Sequence, residues 1–137
     1  MLAKMNDGRI KMYVTWRALA LRRRRPSLFS EGDYRPLIVE GRHRDHLCAF
    51  VRRWRDQAIL VLAPRLFYRL TGGDPREQPL GEIWEDTAVV LPDDLSVSFL
   101  VCQFTGEKPE PDKIGGRQCI PVGRLLRTMP VSLSLLE

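Results

Sequence analysis

The clearest hydrophobic pattern in the chain lies near its start, in residues 6–26. Ile10, Val14, Ala18 and Leu21 recur at spacings of three and four, which predicts one apolar face of a helix. A second apolar set lies on another side of the same helix: Met12, Trp16, Leu19 and Ala20. A helix that rests on a single sheet needs only one apolar face. The pattern therefore predicts a helix with two partners.

The ends of this helix have recognisable signals. Asn6 or Asp7 can cap its first turn by accepting hydrogen bonds from exposed backbone N–H groups. Pro26 is expected to end it, because proline disfavours helical geometry in the residue before it.

The rest of the chain predicts about seven short strands separated by turns, the pattern of an antiparallel β-sandwich. Residues 57–64 are continuously apolar, which predicts a central strand covered on both faces. Residues 34–40 contain Pro36, which favours an edge position. Leucines alternate with Ser132 and Ser134 near the end of the chain, which predicts a half-buried strand. The predicted strands are 34–40, 47–54, 57–64, 81–92, 95–104, the start of 117–126, and 130–136.

Two segments are predicted to be loops, residues 68–79 and 105–116, because both are rich in glycine, proline and charge. A second long helix is not predicted, so a parallel α/β sheet is not expected. The predicted fold class is thus mainly β, an antiparallel β-sandwich preceded by one N-terminal α-helix.

The positive charge of the chain is concentrated in the helix. The net charge is +5, and residues 1–27 hold eight cations and Asp7, which is 8 − 1 = +7. The remainder therefore carries 5 − 7 = −2. No apolar run approaches the roughly 20 residues of a membrane span, and the start lacks the pattern of a secretory signal. Three widely spaced cysteines favour a reducing, cytoplasmic setting over a disulfide framework: Cys48, Cys102 and Cys119.

The run Arg22–Arg25 is a candidate for nucleic-acid binding. Four consecutive helical residues point around the whole circumference instead of forming one stripe. Arginines in the last turn of a helix also interact favourably with its dipole. The structural role is therefore preferred, and no nucleic-acid partner is expected.

The chain shows no motif for catalysis, metal or cofactor binding. His43, Asp45, His46 and Cys48 lie close in sequence, but their spacing matches no zinc site, and a polar turn is preferred. The glycine pairs at 72–73 and 115–116 lack the flanking residues of a phosphate loop, and Cys119 is expected to be a small buried hydrophobe. The densest carboxylates have no paired nucleophile or base and are expected to be structural: Glu82, Glu85, Asp86, Asp93 and Asp94.

Trp54 and Trp84 leave a further function open. Exposed rings at these positions would suit a glycan-binding module, whereas tryptophans in a small sandwich are more often part of the core. The solvent exposure of the two rings separates these alternatives.

Residues 7–37 closely resemble the end of the catalytic barrel in maltooligosyl trehalose synthases, which belong to the α-amylase superfamily (glycoside hydrolase family 13). Weaker similarity continues in order to the closing segment at 130–133. The shared residues of the first block are Asp7-Gly8-Arg9-Ile10-Lys11, Val14-Thr15, Pro26, Leu28-Phe29, Gly32, Tyr34 and Pro36-Leu37.

The resemblance implies that residues 1–27 are the last helix of a (β/α)8 barrel and that residues 28–137 are the C-terminal β-domain. The family converts the reducing-end α-1,4 linkage of a maltodextrin into an α,α-1,1 linkage, with a carboxylate nucleophile and a carboxylic acid in the barrel. No residue here matches those carboxylates. The expected role is therefore non-catalytic, to brace the barrel, with weak maltodextrin binding or none.

The second apolar face of the helix then has an expected origin, since the barrel would cover it in such an enzyme. Without a barrel, we expect the helix to pair with another copy of the chain or to move onto its own sandwich, because large apolar patches are seldom left in water.

Overall fold

The computed structural model describes residues 8–73 and 78–137, and no side chain is described for residues 67–68. It is mainly β, with nine strands in two antiparallel sheets and one long N-terminal helix, which confirms the predicted fold class. The helices are α1 (Arg9–Arg24), α2 (Pro26–Ser30), α3 (Phe67–Leu70) and α4 (Val122–Leu125).

One sheet has five strands in the order β1-β3-β4-β9-β6, and the other has four in the order β2-β5-β8-β7. The strands of the five-stranded sheet are β1 (Asp33–Pro36), β3 (Leu47–Trp54), β4 (Gln57–Pro64), β6 (Leu100–Cys102) and β9 (Ser132–Leu136). Those of the four-stranded sheet are β2 (Ile38–Glu40), β5 (Ala88–Val90), β7 (Asp112–Ile114) and β8 (Arg117–Pro121).

Strand β4 lies at the centre of the five-stranded sheet, as its continuous apolar sequence predicts. Leu60 and Leu62 are buried in the core between the two sheets. Ile59 and Val61 point to the opposite face, where they join a second core with Ile10 and Leu21 of α1. The molecule therefore has three layers, with α1 on one side of the five-stranded sheet and the four-stranded sheet on the other.

The ends of α1 agree with the sequence in part. The helix ends at Arg24 and Pro26 starts the short α2, so proline ends the first helix as predicted and then begins the second. The predicted caps, Asn6 and Asp7, lie outside the described residues. Gly8 occupies the N-cap position with a φ of 81° and no side-chain cap. The predicted domain boundary at residue 27 falls inside α2.

Helix α2 is tied to β3 by one arginine. The Arg52 guanidinium donates to the carbonyl oxygens of Phe29 at 2.7 Å and Gly32 at 3.0 Å. These carbonyls lie at the end of α2, where no further helical turn supplies donors. Gly32 also requires its lack of a side chain, because a Cβ there would lie 2.2 Å from the Leu28 carbonyl oxygen.

Several strand predictions were wrong in extent. Residues 34–40 form two edge strands in different sheets, one on each side of Leu37. Residues 81–84 form a 3₁₀ turn, and only 88–90 of that stretch pair as a strand. In 95–104 only β6 pairs, and the predicted loop 105–116 contains β7.

The serines of β9 overturn the prediction of a half-buried strand. Ser132 and Ser134 pair with Leu62 and Leu60 of β4 and are buried on the side of the four-stranded sheet. Their hydroxyl oxygens lie 3.0 Å apart and form a hydrogen bond, which offsets part of the cost of burying them. Leu133 points to the α1 side instead. Both faces of β9 are covered, because α1 covers the face that an isolated sandwich would leave in water.

Two leucines of α1 test this layering. Leu21 is 0% exposed and Leu19 is 51% exposed on the same helix. We expect Leu21→Ala to lower the free energy of unfolding by about 3 kcal/mol, the cost of a core cavity. Leu19→Ala should change it by less than about 0.5 kcal/mol, as at other surface positions. Urea unfolding followed by circular dichroism measures both, and equal losses would show that α1 does not pack through Leu21.

Candidate functional site

The most unusual surface of the molecule is the side of α1 that faces away from the sheet. We define the outer stripe as Met12, Trp16 and Leu19, which are 74%, 62% and 51% exposed. A shallow groove of about 430 Å³ follows this stripe and includes Lys11 and Thr15 at its edge. Clusters of large exposed hydrophobic residues are typical of binding surfaces. The outer stripe is therefore the candidate functional site.

The side chains of the opposite face confirm the two predicted faces of the helix. Ile10 and Leu21 are buried, and Val14 and Ala18 pack against the same core. Because side chains three and four residues apart share a helix side, burial of this set turns the outer stripe to solvent. The alternative in which the second face moves onto the sandwich is not what the structure shows.

Polar contacts fix the rotation of α1 about its own axis. The Tyr13 hydroxyl donates to the Phe104 carbonyl oxygen at 2.6 Å, and Arg17 Nε donates to the Gln103 carbonyl oxygen at 2.6 Å. Arg24 Nη2 donates to Gln103 Oε1 at 3.0 Å. Gln103 is buried, and its amide nitrogen donates to the Val101 carbonyl oxygen. These hydrogen bonds fix three turns of α1 against Gln103 and Phe104, which follow β6.

The outer stripe is surrounded by positive charge. Helix α1 contains no acidic residue, and its cations are Arg9, Lys11, Arg17, Arg22, Arg23 and Arg24. Arg23 follows Leu19 by four residues and so extends the row of the outer stripe. Arg22 and Arg23 are exposed and have no carboxylate partner among the described residues.

The four arginines of the basic run Arg22–Arg25 differ in their surroundings. Arg22, Arg23 and Arg24 are exposed, and Arg24 also donates to Gln103. Arg25 is partly buried, and its backbone N–H donates to the Leu21 carbonyl at 2.9 Å to end the helix. Arg22 and Arg23 thus lie beside the outer stripe, and the backbone of Arg25 ends the helix.

The histidine cluster occupies a polar turn. His43 Nε2 lies 3.7 Å from Glu85 Oε2, and the His43 and His46 ring centroids are 6.0 Å apart. Asp45 and Cys48 are exposed. Within residues 8–73 and 78–137, no three potential ligands come close enough to hold a metal ion.

Two of the carboxylates singled out by the sequence contact Arg42. Asp86 accepts from the Arg42 backbone N–H at 2.9 Å, and Glu85 lies 3.3 Å from the Arg42 guanidinium. Glu82 and Asp93 are exposed. The structure does not bring these groups together as a catalytic pair.

Asp94 lies between two arginines at the junction of the sheets. It accepts from Arg35 at 2.8 Å and lies 3.4 Å from Arg53. The hydrogen bond with Arg35 lowers the pKa of Asp94, and the same bond raises the pKa of Arg35. Nearby, Glu40 raises the pKa of Arg117 through a hydrogen bond of 3.0 Å.

These ion pairs border a cleft of about 300 Å³ between β1, β2 and the segment that follows β5. Both arginines of the cleft, Arg35 and Arg117, are bound to carboxylates. Because a carboxylate already compensates the charge of each arginine, the cleft attracts an anionic ligand weakly, and it is a weaker candidate site than the outer stripe.

The remaining sequence candidates are the cysteines and the glycine pairs. Cys102 and Cys119 are buried free thiols and Cys48 is an exposed one. The glycines at 72–73 and 115–116 have positive φ angles in turns, which is the ordinary use of glycine there.

The exposure of Trp54 and Trp84 bears on the glycan-binding alternative, which requires rings open to solvent. Trp84 is 0% exposed, and its indole N–H donates to the Pro79 carbonyl oxygen at 2.8 Å. Trp54 is half-buried against the core beneath α1, and the Arg55 guanidinium lies 4.4 Å from its ring centroid. The Trp84 ring is therefore closed to a sugar, whereas Trp54 is partly exposed and has Arg55 over its ring.

Comparison with protein-family models, curated proteins and solved structures found no match to this chain. The helices of the described segments are all too short or too polar to cross a lipid bilayer.

The residues that orient α1 are not evident from the sequence. Gln103 was predicted to be part of a long strand, and its role depends on contacts with residues about 80 positions earlier, 86 for Arg17 and 79 for Arg24. The only available signal was the polar glutamine at the end of an apolar run.

The exposure of Trp16 can be tested by fluorescence quenching. We expect acrylamide to quench Trp16 strongly and Trp84 weakly, because the indole of Trp84 is enclosed. Trp16→Phe should therefore remove the easily quenched part of the emission, and Trp84→Phe should remove the resistant part. The measurements are made in a Trp54→Phe background, because Trp54 is only half-buried and would add a signal of its own. An easily quenched signal that persists in Trp16→Phe in this background would contradict an exposed outer stripe.

A second test concerns Asp94. Because its pKa is lower in the folded chain than the ordinary value of 3.8, its ion pair stabilises the fold above that value. The stabilisation is lost as the pH falls through the lowered pKa. We expect Asp94→Asn to be less stable than the wild type near neutral pH, with the difference vanishing in acid. The effect is small because these side chains are exposed.

Urea midpoints measured from neutral pH down to about pH 2.5 follow this difference. Asp93→Asn is the matched control, since it removes the neighbouring charge without removing a described ion pair. A constant difference between Asp94→Asn and the wild type at all pH values would contradict the assignment.

Proposed function

We propose that this chain is the C-terminal part of a maltooligosyl trehalose synthase and that it supports the catalytic barrel without carrying catalytic groups. The sequence resemblance of residues 7–37 supplies the family. In this proposal α1 is the last helix of the barrel, and the β-sandwich fixes its position. The barrel performs the isomerisation of the reducing-end linkage.

The observation that carries the proposal is the division of α1 into two apolar faces. Its inner face packs on the five-stranded sheet, and its outer stripe is exposed. A helix that closes a barrel on one side and joins a β-domain on the other needs both faces. The hydrogen bonds to Gln103 and Phe104 fix the rotation of α1 so that the outer stripe faces away from the sheet. This orientation leaves the stripe available to a second partner of the helix.

The candidate carboxylates support a non-catalytic role. Retaining glycoside hydrolases place two carboxyl groups about 5 Å apart on either side of the bond that reacts. Glu85 and Asp94, by contrast, are both occupied by arginines in exposed ion pairs. The chemistry is therefore assigned to the barrel.

The test uses the barrel of a maltooligosyl trehalose synthase truncated before the segment that matches Asp7. This barrel and the present chain are incubated with maltopentaose, separately and together. The α,α-1,1 linkage joins two anomeric carbons, so the product has no reducing end, and loss of reducing ends measures the reaction. We expect conversion only in the mixture, and conversion by this chain alone would refute the non-catalytic role.

The outer stripe supplies the matched variants for this experiment. Replacing both Met12 and Trp16 with serine should weaken assembly by about 2 kcal/mol or more, about thirtyfold, as for central residues of other interfaces. The control replaces Ile38 and Ile114 with serine, since both are exposed residues of the four-stranded sheet. Titration of the barrel with each variant gives the affinity. Equal losses in both variants would show that the stripe is not the contact.

A further inference from the structure

We infer that the outer stripe binds a protein surface whose apolar groove is bordered by carboxylates, and that it does not pair with the outer stripe of a second copy of this chain. The inference comes from the charges that surround Met12, Trp16 and Leu19. Applied to the proposed function, the inference assigns acidic residues to the barrel surface that borders the outer stripe. This part of the inference rests on the proposed function.

The apolar part of the stripe is short. Met12 and Leu19 are seven residues apart, which is about 10 Å along a helix. Arg23 occupies the next position of the same row, and Lys11 borders the groove beside Met12. A partner with a short apolar groove would cover the apolar residues, and negative charge at its rim would face Lys11 and Arg23.

The α1 helix of a second copy does not match this description. Helix α1 has no acidic residue. Antiparallel pairing would place Arg22 and Arg23 of one copy beside Lys11 of the other, and parallel pairing would place the arginines against each other. Like charges oppose either arrangement, most strongly at low salt.

An anionic membrane surface fits less well than a protein groove. In helices that lie on membranes, the cations occupy the polar side, opposite the inserted residues. Here Arg23 lies in the same row as the apolar residues, so insertion of the stripe would carry its charge toward the acyl chains. The side of α1 opposite the stripe is also apolar and packs on the five-stranded sheet, whereas a helix on a membrane keeps that side polar.

The probes are two synthetic helical peptides with the same row of leucines at alternating three- and four-residue spacing. One has glutamates on both sides of the row and the other has lysines. We expect the intact chain to bind the glutamate peptide about tenfold more tightly at low salt, which is the combined effect of a few exposed ion pairs. The preference should shrink at about 0.5 M salt, where the Debye length is only a few ångströms.

Trp16 reports the binding, since its emission shifts to the blue when the ring leaves water. Trp16→Phe should lose this shift. The double variant Arg22→Glu with Arg23→Glu should reverse the preference between the two peptides. The matched control is Arg44→Glu with Lys113→Glu, which makes the same change in charge at exposed positions away from α1. This control should keep the preference of the wild type.

Other results would overturn the inference. They are equal affinity for the two peptides, no binding of the glutamate peptide, self-association that buries Trp16, and tighter binding to phosphatidylglycerol vesicles or to duplex DNA. The test contains no barrel. A glutamate preference without assembly on the barrel would refute the proposed function alone, and assembly on the barrel without a glutamate preference would refute this inference alone.

Discussion

The fold depends on covering both faces of the five-stranded sheet. Strand β4 presents Leu60 and Leu62 to one side and Ile59 and Val61 to the other, so it has no face suited to water. The four-stranded sheet covers the first side and α1 covers the second. Since burial of a large aliphatic side chain stabilises a fold by about 2 kcal/mol, the helix is part of the core of this domain. Its position is set by the sheet, and the direction of the outer stripe follows from that position.

Patterns within single segments predicted much of this architecture. Strands β3 and β4 have the predicted bounds, because each is a complete run of apolar or alternating residues with a tight connection at Arg55. The two faces of α1 also followed from spacing alone, since a helix is defined by contacts within itself. The residues of each of these elements are enough to predict its type and, for the two strands, its bounds.

Other elements are defined by distant partners, and the sequence predicted them poorly. Strand β7 exists because Lys113 pairs with Gln118 across a glycine turn, although its own residues resemble a loop. Ser132 and Ser134 alternate with leucines as they would on a wet surface, yet α1 and the second sheet cover both sides of β9. The candidate site shows the same division. The spacing of apolar residues predicted the outer stripe, but nothing in the sequence predicted the hydrogen bonds from Arg17 and Arg24 to Gln103.

The cations of α1 give the outer stripe a selectivity that apolar residues alone do not provide. Met12, Trp16 and Leu19 would bind any apolar surface of suitable shape, including another copy of the same helix. A specific interface has to weaken wrong partners as well as favour the right one. Positive charge without any acidic residue weakens pairing between copies, and it leaves attraction to an acidic rim intact. The charge concentrated in α1 thus has a role that neither nucleic-acid binding nor helix capping requires, which is to choose the partner of an exposed apolar face.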